Sequence, residues 1–224
     1  MIIAIDGPAG TGKGTISKLI SERLGFVYVD TGAMYRAITL KMLRENIDVY
    51  ELEKIENLLN TTKIDFELSS IQKVLLDDED VTREIRLPNV NEHVSPYSAV
   101  KIIREKMVEL QRKIAEGKNV IMEGRDITTV VFPNAEIKIY LTATPEERAE
   151  RRFKELIEKG IETTFEETLE SINKRDYNDM NKEYGALQIA KDAIVIDTTN
   201  LSIEEVYEKI KKIVIDNEKY KSNK

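Results

Sequence analysis

The chain has 224 residues, 41% hydrophobic and 33% charged, with 10 Gly and 5 Pro. At roughly 100–200 residues per domain this allows one domain with insertions or two small ones, and the balance excludes a disordered or fibrous chain. The 34 basic and 41 acidic side chains leave a net charge of −7, which argues against nonspecific affinity for nucleic acid or an anionic membrane, while zero Cys and the single His93 exclude disulfides, thiolate catalysis and His clusters for metal. Chemistry therefore falls to Lys, Arg, Asp, Glu and backbone amides. The opening Met-Ile-Ile-Ala-Ile is cut off at Asp6, with no basic stretch before it and no cleavage-type sequence after it, and no apolar run reaches membrane-spanning length. A cytoplasmic, unprocessed chain is the expectation.

In chain order, residues 2 to 5 form an apolar run of buried parallel-strand type, and Ile16, Leu19, Ile20 and Leu24 fall at helical spacing before Gly25, a left-handed C-cap. Residues 26 to 29 read as a second strand, and 33 to 45 and 52 to 59 as helices. Between Lys63 and Val81 the period changes, and two short strand-like pieces around Ser69 and Ser70 predict a small antiparallel insert. Val100, Ile103, Met107, Leu110 and Ile114 step by three and four and are followed by Gly117, the clearest helical signature of the chain. Residues 119 to 122, 137 to 141 and 193 to 196 are further buried-strand runs separated by helices. Alternation of this kind specifies an α/β domain around a parallel sheet. His93 reads as a satisfied helix or turn residue.

Residues 7 to 15 are Gly7-Pro8-Ala9-Gly10-Thr11-Gly12-Lys13-Gly14-Thr15, directly after a predicted strand and directly before a predicted helix. Glycines let the backbone turn its amides around phosphate oxygens, the helix N-terminus adds partial positive charge, and Lys13 adds a mobile full one. Together they form a polyphosphate cradle. Gly14 stands where the usual phosphate loop has the Ser or Thr whose hydroxyl contacts Mg²⁺, and Thr15 is one residue late.

Phosphoryl transfer needs positive charge converging from several segments with water excluded, and Arg suits this because its planar fork binds phosphate in pairs of hydrogen bonds. Candidates are Lys13, Arg36, Arg104, Arg125, Arg148, Arg151, Arg152 and Arg175. Arg125 follows a strand at the carboxyl edge, where ligands of open parallel sheets collect. Arg148, Arg151 and Arg152 share a helix face that reads equally as an anion site or as a solvated face neutralised by Glu147 and Glu155. Arg175, Asp179 and Lys182 lie at i, i+4 and i+7, one face if the helix runs that far, or else an ordinary surface ion pair. Asp6 reads as a turn residue, and Asp30 and Asp126 as anchors for Mg²⁺ waters. A phosphate monoester, with its second pKa near ~6, can attack without a general base, so a chain with one His favours a phosphate acceptor.

The form G-x-x-G-x-G-K-G-T, with Asp30-Thr31-Gly32-Ala33-Met34-Tyr35-Arg36, Glu123-Gly124-Arg125-Asp126, Phe132-Pro133, the Glu146-Glu147-Arg148-Ala149 helix start and Arg175-Asp176-x-x-Asp179, resembles the nucleoside monophosphate kinases and more narrowly the bacterial cytidylate kinases. The resemblance spans most of the chain. It implies an α/β three-layer P-loop core with a parallel sheet (about 1–30, 106–147 and 186–216), an acceptor-binding insert with a small antiparallel sheet (about 31–105), a short helical lid (about 148–185) and a frayed tail at 217–224. It implies transfer of the γ-phosphoryl group of ATP to CMP or dCMP, with Mg²⁺, by a monomer. Lys13, Arg125 and Arg175 would be catalytic and residues 7 to 15 would bind ATP. Arg36, Arg125 and Arg175 would hold the CMP phosphate or the transferring group, Thr31 and Tyr35 would line the acceptor site, Ser95, Arg104 and Asp126 would contact cytosine, and Arg175 with Asp179 would lie near the ribose. No protein side chain is assigned as a direct metal ligand. Asn178, Lys182 and Gly185-Ala186-Leu187 depart from the family pattern, which has Arg at the first two places and Ala-Pro-Leu at the third.

Two rivals are weaker. Asn173-Lys174-Arg175-Asp176 matches the guanine-reading tetrapeptide of GTPases, yet the residues before it are helical in composition and no D-x-x-G occurs. A kinase for a small hydroxylated metabolite is disfavoured by the long insert and by Tyr35-Arg36.

Overall fold

The computed structural model describes residues 1–67, 73–158 and 160–222, with side chains through residue 217. It divides into two compact units, Met1–Val29 with Ala115–Lys224, and Asp30–Ile114. The expected turn at Ser69 and Ser70 and the last two residues of the expected frayed tail lie outside the described residues.

The first unit is built on β1 (Ile2–Asp6), α1 (Lys13–Leu24) and β2 (Val27–Asp30), the last of which runs into the second unit at Asp30. The second unit continues with α2 (Thr31–Arg44), α3 (Leu52–Thr61), β3 (Ile64–Glu67), β4 (Lys73–Leu76), β5 (Glu79–Asp80), α4 (Pro88–Tyr97) and α5 (Lys101–Ala115). The chain returns to the first with β6 (Val120–Gly124), a π-helical turn (Ile127–Val131), β7 (Ile137–Thr142), α6 (Pro145–Glu158), α7 (Phe165–Met180), β8 (Ile194–Asp197) and α8 (Ile203–Ser222). The predicted helices and strands are present, displaced by a few residues at their ends. Residues 217 to 222, expected to be frayed, continue α8 as helix.

The five-stranded sheet has the order β2-β6-β1-β7-β8, with β1 parallel to β6 and β7, and β7 parallel to β8. Ile3, Ala4 and Ile5 are all fully buried, so successive side chains on opposite faces are both covered. That is why the strands read as continuous apolar runs rather than alternating ones. On one face Ile3, Ile5, Ile121, Ile139 and Leu141 pack with Ile16 and Ile20 of α1 and with Val206, Ile210 and Val214 of α8. The chain leaves β1 toward β2 and leaves β7 toward β8, in opposite directions, so the crevice of the sheet opens at their carboxyl ends, where Gly7 begins the glycine loop. Gly25 closes α1 in the left-handed conformation at φ 75°, its amide donating to the Ser21 carbonyl at 2.9 Å. Thr164 and Glu167 start α7 with a reciprocal capping box.

In the second unit Asp30 caps α2, its carboxylate accepting from the Ala33 amide at 2.9 Å. The antiparallel sheet β3-β4-β5 has Ile64 opposite Leu76 and Phe66 opposite Val74, with Ile64, Val74 and Leu76 buried. Helix α4 escaped the sequence reading because Pro88 and Pro96 suggest loop, whereas Pro88 occupies the first turn, where no amide partner is lost. His93 lies in it, with Nδ1 2.8 Å from the Asn89 carbonyl oxygen, a local contact as expected.

Candidate active site

In the first unit the glycine loop has Gly10 at φ 81° and Gly12 at φ 84°, left-handed conformations that let the chain reverse before α1. Gly7 admits no side chain, because a Cβ there would lie 2.1 Å from the Leu141 carbonyl oxygen of β7. Lys13 opens α1, is 5% exposed, and donates from Nζ to the Pro8 carbonyl at 2.7 Å. Burial, reinforced by the positive charges of Arg125 and Arg175, lowers its pKa to about 7 against the pull of Glu123 and Asp6. A polyanion arriving here is met by a group that gains by taking up a proton.

Arg125 leaves the carboxyl end of β6 and donates from Nε to Asp179 Oδ2 at 2.7 Å. Lys182 Nζ reaches Asp179 Oδ1 at 3.0 Å, and Arg175 Nε stands 4.0 Å from Oδ2. Burial would raise the pKa of Asp179, but Arg125, Lys182 and Arg175 together hold it well below the usual carboxylate range. Helix α7 stops at Met180, so Lys182 is not on its face as the i, i+7 spacing expects. It joins the cluster from the turn, where Leu187 N donates to Asp179 O at 2.8 Å.

Asp6 is not a local turn residue. Fully buried, it accepts from the Ile127 amide at 2.9 Å, the Thr128 amide at 2.7 Å and the Thr128 hydroxyl at 2.6 Å, and so holds the π-helical turn that follows Arg125 and Asp126. Burial pushes its carboxyl pKa up against those three hydrogen bonds. Asp126 is buried at the start of that turn.

Glu123 escaped the assignment of roles. Its Oε1 accepts from Tyr28 Oη at 3.2 Å and stands 3.2 Å from where a Gly14 Cβ would be, so Gly14 leaves room for a carboxylate beside the loop. The available signal was an acidic residue closing a buried strand next to β1. Of the three expected cations on α6, one resolves differently from the other two. Arg148 is buried rather than solvated, whereas Arg151 pairs with Glu147 at 3.0 Å and Arg152 with Glu155 at 2.7 Å. The guanine-reading tetrapeptide lies inside α7 and does not terminate a strand, which removes that rival.

In the second unit the remaining expected residues sit on three helices. Thr31, Tyr35 and Arg36 lie on α2, Ser95 on α4 and Arg104 on α5. Arg36 donates to Asp30 Oδ2 at 3.2 Å and Arg86 to the same oxygen at 2.9 Å. These two guanidinium groups hold Asp30 below the ordinary aspartate range although burial pushes it up. The Arg104 guanidinium lies over the Tyr35 ring, 5.3 Å from its centroid, and donates to the Ser98 carbonyl at 3.1 Å. Tyr35 of α2 and Arg104 of α5 are thereby brought together, while Ser95 offers its carbonyl to the Ser98 hydroxyl at 3.0 Å.

A parallel sheet with a glycine loop after its first paired strand, a buried lysine at the head of the following helix and arginines at the carboxyl edge defines a P-loop phosphotransferase core. Comparison with known proteins narrows this. The family model for cytidylate kinase matches residues 3–216. The chain is 54% identical over 220 residues to a curated cytidylate kinase from Caldicellulosiruptor saccharolyticus, covering 96% of this chain and 97% of the relative. It is 50% identical over 212 residues to one from Fusobacterium nucleatum, covering 95% and 96%. Among solved structures, an uncharacterized protein from Eubacterium ventriosum shares the fold at TM-score 0.54 and 14% identity, covering 96% of this chain and 98% of that one. TT1252 from Thermus thermophilus does so at TM-score 0.50 and 17% identity, covering 96% of each. The chain belongs to the cytidylate kinase family, the ATP-dependent kinases that phosphorylate CMP and dCMP.

Proposed function

We propose that the (d)CMP kinase reaction is divided among these residues as follows. The loop Gly7 to Thr15 and Lys13 bind the ATP phosphates, Lys13 taking on full charge as they approach, and Arg125 and Arg175 bracket the transferring phosphoryl group. Thr31, Tyr35 and Arg36 serve the acceptor phosphate and its surroundings, Ser95, Arg104 and Asp126 the cytosine ring, and Asp179 with Arg175 the ribose. The observation that carries this reading is the geometry of the loop: Gly7 lies against the β7 backbone, and Lys13 is buried at the head of α1 with Nζ turned back to the Pro8 carbonyl, where the charges of Arg125 and Arg175 also act on it. A phosphate acceptor arrives already ionised, so the reaction calls for no general base.

No three acidic or His side chains converge on a metal position among the described residues; Mg²⁺ would be held by phosphate oxygens and water, with Glu123 beside the loop, or Asp126 in place of its role at the base, as anchor for those waters. Bound there, it would supply positive charge against the donor phosphates. We assign the protein to the cytoplasm as a monomer, without nucleic-acid or membrane partners; no helix of the described residues is long and apolar enough to cross a membrane.

ATP turnover measured with CMP, dCMP, UMP, AMP and GMP tests the assignment, together with Asp126→Asn. Cytosine presents an amino donor where uracil presents a carbonyl, and a carboxylate complements only the first. The variant is expected to lose CMP:UMP preference by on the order of 10-fold to 100-fold in kcat/KM, the worth of one mismatched hydrogen bond in a dry site. If all acceptors slow equally and the ratio stays put, Asp126 serves the metal and not the base.

A further inference from the structure

Arg148 is among the most buried charged groups in the protein, and nothing in the reaction outlined above uses it. Its backbone lies against the Gly10 turn. A Cβ on Gly10 would lie 3.0 Å from the Arg148 Cβ and 3.1 Å from its carbonyl oxygen, so the glycine loop rests directly on the first turn of α6. The guanidinium then divides its donors. Nε donates to the Ala143 carbonyl at the end of β7 at 3.1 Å, and Nη1 donates to the Ala9 carbonyl of the loop at 3.1 Å. The same Nη1 stands 2.7 Å from Asp176 Oδ2, on α7. The second oxygen, Oδ1, is buried with no hydrogen-bond partner among the described residues.

Asp176 stands on the inward face of α7, with Ile172 before it and Asp179 after it, all three buried. One residue earlier is Arg175, and one turn later Asp179 gathers Arg125 and Lys182. Beside the packing of Thr168 and Ile172, two polar contacts hold this face of α7, one made by Arg148 and one by the Arg125 cluster. A carbonyl of the phosphate loop and a carboxylate of α7 share a single guanidinium nitrogen. Any shift of Ala9 on filling the loop alters one of the two bonds to that nitrogen, and the orphan Oδ1 gives Arg148 a second acceptor on the same carboxylate to turn to.

We propose that Arg148 is a positioning residue that ties the donor phosphate loop to α7, so that binding of the nucleoside triphosphate sets the orientation of Arg175 and Asp179 toward the acceptor. The inference rests on the assignment of the loop to ATP and of Arg175 and Asp179 to the acceptor side. It makes binding of the two nucleotides cooperative through named atoms rather than through direct contact between them.

The test measures the affinity of the full chain for CMP with and without a saturating non-hydrolysable ATP analogue and Mg²⁺. In the wild type the analogue is expected to tighten CMP binding at least 5-fold. In Asp176→Asn, which keeps the shape and removes the charge, that enhancement should fall below 2-fold while CMP affinity without the analogue changes little. Asp176→Glu, which restores the charge, should recover part of it. Thermal unfolding of each variant is followed alongside, because a purely structural ion pair lowers the melting temperature and leaves the enhancement intact, which overturns the proposal. A wild type without any enhancement overturns it equally. Hydrogen exchange of the wild type needs no variant to fold. The analogue alone should protect amides of residues 7 to 15 and also of 168 to 180; protection of the loop without α7 refutes the coupling, whereas no protection of the loop refutes the donor-site assignment itself.

Discussion

Lys13 concentrates the chemistry at the scale of one residue. Its folded-state pKa of about 7 lies below the ordinary lysine value of 10.5, so between those limits the unfolded chain binds more protons than the folded one. Stability from this group therefore rises as pH climbs from about 7 toward 10.5, and falls as pH drops through that window. Phosphates reverse the perturbation, so ATP binding at pH 8 is expected to take up about 0.9 proton, readable by calorimetry in buffers of different ionisation enthalpy. Lys13→Ala should abolish the uptake and lower kcat by a factor on the order of 10², with ATP affinity reduced less, because the charge matters most in the transition state. Uptake that persists in the variant would assign the proton to another group. Lys13 itself was evident in the sequence from its place in the loop. Its altered proton affinity was not, since that follows from burial and from Arg125 and Arg175, more than a hundred residues away.

At the scale of the element, β1, the glycine loop and α1 form a unit in which each glycine has its own reason. At Gly7 a Cβ collides with backbone of β7, which cannot yield, whereas at Gly12 no atom lies within 4 Å of the added Cβ and only the left-handed φ of 84° resists substitution. Gly7→Ala is expected to cost about 3 kcal/mol or more and Gly12→Ala about 1–2 kcal/mol, compared by urea unfolding. Equal costs would mean that backbone strain alone governs the loop. The G-x-x-G-x-G spacing is readable from one segment of chain; the reason for its first glycine is a neighbour 134 positions on, which enters only when β7 pairs with β1. Asp6 teaches the same lesson. As the last residue of an apolar strand it resembles a turn former, and its actual partners, Ile127 and Thr128, are brought to it by the pairing of β1 with β6. Helix α4 was missed for a more local reason, two prolines that a helix tolerates only in particular places.

At the scale of the whole molecule, buried carboxylates set opposing dependences on pH. Asp179 and Asp30 have depressed pKa values, so their contributions to stability are present above the ordinary aspartate value of 3.8 and are lost as pH falls below it. Asp6, with its pKa raised, acts in the other sense: folding is helped as it protonates on acidification. Because Asp179 balances three cations, Asp179→Asn is expected to lower stability at pH 7 and to flatten its decline between pH 4 and pH 2, measured by urea unfolding across that range. An acid limb as steep as the wild type's would show that Asp30 and the other carboxylates carry it.

The sequence by itself determined the order of strands and helices apart from α4, the glycine loop with its lysine, and the family, because apolar period and short motifs are properties of contiguous residues. It also put Arg175 and Asp179 on one possible helix face and, through the family resemblance, set Arg125 with Arg175 at the transferring group; that Arg125 and Arg175 both turn to Asp179 is read from the structure. Only the tertiary structure separated Arg148 from Arg151 and Arg152, which share one helix and one composition. The first is buried against the phosphate loop and Asp176, and the others pair with glutamates of their own helix. The difference lies in what packs on each side of α6, and burial against a distant segment leaves no periodic trace in the chain that forms it.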